Sequence, residues 1–189
     1  MENKKEKYEY FNELLESNEM IDYKYLFVNW SNENKNVFFK YLGTRRKKEL
    51  LENSITIHNI LNNISHNYHR NIFFCVGDGK YPRSSYILSL LFPFNIVYCI
   101  DPNLSNELKE IPKNLICVKK YDYEFNFTEN MEKRIPILVS IHSHGSFKNI
   151  FNILDNCLGF TASLKLTFLS ILINQTRLKV SFGLGPVNT

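Results

Sequence analysis

The chain lacks an apolar run long enough to cross a bilayer, which takes about 18–20 residues. The nearest stretch, Leu158 to Ile173, is broken by Lys165 and four hydroxyl residues, so no membrane partner is expected. Cys-x-x-Cys and Cys/His ligand spacings are absent, which excludes a structural zinc site and leaves the metal list empty. The opening Met-Glu-Asn-Lys-Lys-Glu-Lys has no apolar core, so no secretory signal is read there. Charge of one sign is also scarce. The net charge is +4, the pI is about 8.8, and Glu49 and Glu52 follow the one basic run, Arg45-Arg46-Lys47-Lys48. A nucleic-acid partner is therefore permitted but not demanded. No internal repeat is present. Cys75, Cys99 and Cys117 lie inside apolar runs and read as reduced strand-core residues of an intracellular protein, cytoplasmic with the nucleus left open.

With 189 residues, 44% of them hydrophobic, the chain can fill one principal core. Its most informative segment is Asn71-Ile-Phe-Phe-Cys-Val-Gly-Asp-Gly-Lys-Tyr-Pro-Arg-Ser-Ser85, followed by Asn95-Ile-Val-Tyr-Cys-Ile-Asp101-Pro102. The order is strand, glycine loop, helix, strand and terminal acid, which is the layout of a βαβ nucleotide-binding unit. Asp101 falls 24 residues after Gly77, where such units place a carboxylate for ribose hydroxyls.

Around this unit the pattern predicts an α/β fold, a three-layer Rossmann-like sheet that is mainly parallel, with helices on both faces. Strands are expected at 72–76, 96–100, 115–118 and 137–141, with helices at 84–92, 106–110 and 147–158. Residues 1–69 read as an N-terminal helical extension, broken at Gly43, and 70–189 as the Rossmann-like domain. Residues 164–173 fit a helix or a strand, 178–182 a last strand, and 183–189 a loose tail.

The order of elements, with Val76-Gly-Asp-Gly-Lys-Tyr-Pro-Arg83 and Ile100-Asp-Pro102, resembles the class I S-adenosylmethionine-dependent methyltransferases, in a divergent subgroup with an Asp-Gly-x-x-Pro-Arg loop. The resemblance covers roughly residues 70–157. It implies S-adenosylmethionine as cofactor, with its methionine part at Gly77 and Gly79, its ribose at Asp101 and its adenine beside Asp122. Cys75 stands where that family usually has an acid, with Asp78 as the substitute. Arg83, in the first turn of a helix, opposes the helix dipole and is expected to bind an anion beside the free N–H groups of that turn.

Ile141-His-Ser-His-Gly-Ser146 follows the fourth strand, so His142 and His144 are the expected general base and its partner, at the acceptor side of the site. The residues leave open whether the protein is an enzyme. A catalytically silent Rossmann-like binding or interaction module is one alternative. Another is a zinc hydrolase, since His142, His144 and Asp155 resemble the ligand spacing of JAMM-type isopeptidases, although Asn152 replaces the serine of that pattern. His58, His66 and His69 read as surface or helix-end residues.

Overall fold

The computed structural model describes residues 24–63, 71–125, 134–140, 167–174 and 177–184. A single helical turn, α1 (Lys24–Phe27), precedes α2 (Asn32–Leu42). Ser31 starts α2 by accepting the Asn34 N–H at 3.1 Å, which satisfies one of the orphan donors of a first turn. Gly43, at φ 66°, ends it, and a 3-10 turn leads into α3 (Arg46–Asn63). The break expected at Gly43 is therefore where the chain turns.

The sheet comprises β1 (Asn71–Val76), β2 (Ile96–Ile100), β3 (Leu115–Val118) and β4 (Ile135–Ser140), with α4 (Arg83–Leu91) between β1 and β2. Its order is β3-β2-β1-β4, and every pairing is parallel. This is the expected Rossmann-like α/β sheet. Alternate residues serve opposite faces, as the two-residue strand period requires. Phe73, Cys75, Val97, Cys99, Ile137 and Val139 join the helices in one core. Ile72, Phe74, Val76, Tyr98, Ile100 and Leu138 form a second cluster on the other face.

The extension is fused to the first of these cores. Phe27, Trp30, Phe38 and Tyr41 share it with Tyr86 and Ile87 of α4, and the rings of Trp30, Phe38 and Tyr41 all lie against that of Tyr86. On the opposite face Phe125 packs on Phe74 and Tyr98.

Three expectations need correction. Residues 106–110 form turns rather than a helix. Asp101 accepts the Asn103 N–H at 2.7 Å and Ser105 accepts that of Glu107 at 3.2 Å, local bonds that compete with helix formation. Strand β4 begins at Ile135, not Ile137, and includes Pro136; β4 is an edge of this sheet, where a residue without an N–H is tolerated. Near the C-terminus, β5 (Thr167–Asn174) and β6 (Arg177–Leu184) make an antiparallel pair, so Gly183 and Leu184 belong to a strand and not to a tail. The helix expected at 147–158 lies outside the described residues.

Candidate functional site

Helix α4, which follows β1, packs on one face of the sheet and Phe125, beyond β3, on the other; the strand order reverses between β1 and β4, and in open α/β sheets ligands bind at the carboxyl ends of strands beside such a reversal. Hydrogen bonds lace the strand ends beside it. The Gly77 N–H donates to Ile100 O at 3.1 Å, and the Asp101 N–H to Val118 O at 3.2 Å. Gly77 and Gly79 have φ of 84° and 82°, a left-handed conformation that side chains rarely adopt. Asp101 is buried. Its Oδ2 accepts the Gly79 N–H at 2.8 Å and its Oδ1 that of Asn103, so the acid holds the glycine loop to the loop after β2.

Asp78 has turned the other way, into the start of α4. Its Oδ1 accepts from the N–H of Ser84 at 3.2 Å and from that residue's hydroxyl. Its Oδ2 accepts from the N–H of Ser85 at 3.0 Å and the hydroxyl of Ser85 at 2.6 Å. A thiol bond from Cys99, at 3.6 Å, completes the set. Five donors saturate the carboxylate, and the N–H groups expected to face an external anion are already satisfied by this internal one.

Arg83 likewise serves the fold. Its Nε donates to Tyr41 O at 2.7 Å and its Nη1 lies 3.0 Å from Glu49 Oε2. The guanidinium stands 3.9 and 4.0 Å from where a Cβ would lie on Gly43 and Gly79, so it spans the α2–α3 turn and the glycine loop. A bound anion there competes with Glu49. Tyr41 makes a second bridge: its ring stacks on Tyr81 at 5.3 Å and its hydroxyl donates to Lys109 O at 3.2 Å. The extension thus touches both loops that flank the site. Tyr41, Tyr81 and Glu49 were not singled out by the sequence, since contacts between distant segments leave no local pattern.

Burial, reinforced by nearby acidic groups, pushes the Tyr41 hydroxyl from 10.0 up to about 12. The fold keeps this proton in a range where the unfolded chain releases it, so the associated stability is complete below pH 10 and falls as pH rises toward 12. Thermal melts across that window are expected to drop more steeply for the wild type than for Tyr41→Phe. Equal slopes would refute the assignment.

Asp122 opens a 3-10 turn beyond β3 (Asp122–Glu124) and is buried. Its Oδ1 accepts the Tyr123 N–H at 3.0 Å, whereas Oδ2 is buried without a hydrogen-bond partner. Cys75 is fully buried on the helix side of β1. Among the described residues no helix is long and apolar enough to cross a membrane, and no group of three metal-ligating side chains converges. His142, His144, Asn152 and Asp155 lie outside the described residues, as do His66 and His69; His58 is on α3, half-buried, with Nε2 2.9 Å from Asn62 Nδ2. No protein-family model and no curated protein matches the chain.

Proposed function

We propose that the carboxyl edge of the sheet binds S-adenosylmethionine or a related adenosine-containing ligand, and that the protein is a methyltransferase or methyltransferase-like protein. The observation that carries this reading is the pair of buried acids that follow neighbouring strands, Asp101 directly after β2 and Asp122 in the 3-10 turn beyond β3. Asp101 has one N–H on each oxygen, which leaves lone pairs for ribose hydroxyls. Asp122 keeps a buried oxygen without a donor, a cost on the order of 1–3 kcal/mol that an exocyclic amino group would relieve. Gly77 and Gly79 allow a close backbone approach for the methionine part. When bound, the cofactor would supply an electrophilic methyl group, and an acceptor would enter beside His142, Ser143 and His144, which follow β4 in the sequence.

Calorimetry with S-adenosylmethionine and S-adenosylhomocysteine tests the reading. Both ligands are expected to bind. Asp101→Ala and Asp122→Ala should each weaken binding by about tenfold or more, the loss of one charge-assisted hydrogen bond. Circular dichroism checks that the variants are folded. No heat at millimolar ligand with folded protein would overturn the proposal. It would favour the silent binding or interaction module, a reading supported by Asp78 and Arg83 both being spent on the protein's own groups.

A further inference from the structure

Three cysteines form one row across the sheet, with Cys75 opposite Cys99 and Cys99 opposite Cys117. Register partners in a parallel ladder point to the same face, and all three meet the helix-side core. Neighbouring strands are about 4.8 Å apart, which lies inside the Cα separation of roughly 4.4–6.8 Å that a disulfide requires. Cys75 and Cys117, two strands apart, are too far from each other.

The three differ in access. Cys75 and Cys99 are fully buried, whereas Cys117 is partly exposed on β3, an edge of the sheet. The neighbouring Cys99 lowers the Cys117 thiol, with burial opposing it. Burial pushes Cys99 up and Cys75 up. One thiol is therefore reachable and inclined to ionise, and its neighbour stays protonated, the pairing of an attacking and a resolving cysteine.

We propose that Cys117 and Cys99 form a reversible disulfide switch, oxidised by a hydroperoxide. The Cys117 thiolate attacks the peroxide and the O–O bond breaks. The sulfur loses two electrons and becomes a sulfenic acid, while the departing oxygen takes up a proton as an alcohol or water. Cys99 then attacks the Cys117 sulfur, the S–O bond breaks, and the hydroxyl leaves as water with the proton from Cys99. Asp78 Oδ2, which accepts the Cys99 S–H at 3.6 Å, stands where that proton first goes. In sum, two thiols and one hydroperoxide give a disulfide, water and an alcohol, or a second water when the oxidant is hydrogen peroxide. The bond also withdraws a donor from Asp78, so oxidation is felt at the glycine loop. The Cβ atoms of register neighbours stand about as far apart as the strands and must close to about 3.5–4.5 Å to be linked, and strained disulfides are the readily reduced ones.

The test treats the full chain with hydrogen peroxide, alkylates the remaining thiols under denaturing conditions, and maps the peptides. Two of the four thiols are expected to become unreactive, with Cys99 linked to Cys117 and both restored by dithiothreitol. Cys75→Ser should leave the link unchanged. Cys99→Ser should leave a sulfenic acid on Cys117 that dimedone traps. Four alkylatable thiols after treatment, a link between any other pair, or overoxidation of Cys117 without a link would each overturn the proposal.

Discussion

Urea unfolding of Asp78→Ala is expected to show a loss of about 3–4 kcal/mol. Removing an acidic cap alone costs about 1–2 kcal/mol, and here it also strands the hydroxyls of Ser84 and Ser85, both buried, at about 1 kcal/mol each. Helix α4 has nine residues, too few to persist without tertiary support, so its start depends on this carboxylate. Asp78→Asn keeps the shape but turns one acceptor into a donor facing donors, and about half of the loss should remain. Such a change is large against a total stability of about 5–15 kcal/mol. An alanine variant within about 1 kcal/mol of wild type would contradict the assignment.

The second large effect is expected at Tyr86, whose side chain is fully buried. Its ring lies 5.8 Å from Trp30, 6.3 Å from Phe38 and 5.4 Å from Tyr41, so it joins the N-terminal helices to α4. Tyr86→Ala should cost about 3–5 kcal/mol, as aromatic truncations in cores do. Tyr86→Phe should cost under about 1 kcal/mol, because the hydroxyl bond to Asn34 is long at 3.3 Å. Limited proteolysis distinguishes local from global damage: in the alanine variant, residues 24–63 should be cut before the sheet. A phenylalanine variant as unstable as the alanine one would place the stabilisation in the hydroxyl instead.

The βαβ unit was legible because its information is local. An unbroken apolar run, two glycines at the turn and an acid ending the next strand each follow from the backbone at that position. The start of β4 at Ile135, with Pro136 inside the strand, was less legible, since whether a proline joins a strand depends on the strand being an edge. For the site, Asp101 could be placed on its loop from spacing alone. The directions of Asp78 and Arg83 could not, because they are decided by Ser84, Ser85 and a glutamate 34 positions away. The cysteine row did leave a trace: Cys75, Cys99 and Cys117 each stand one residue before the end of a strand. Parallel strands that finish level bring such residues together, and only the register makes the alignment visible.

The strand order also carries an entropic consequence. Pairing β1 with β4 joins Asn71 to Ile135, 64 positions apart, whereas β1 and β2 join Ile72 to Ile96, only 24 apart. Closing the longer loop costs about 0.9 kcal/mol more by the logarithmic scaling of chain closure. The seam at which the strand order reverses is therefore the one that chain topology favours least, and a ligand lying across it would act as a staple on the most expensive closure in the sheet.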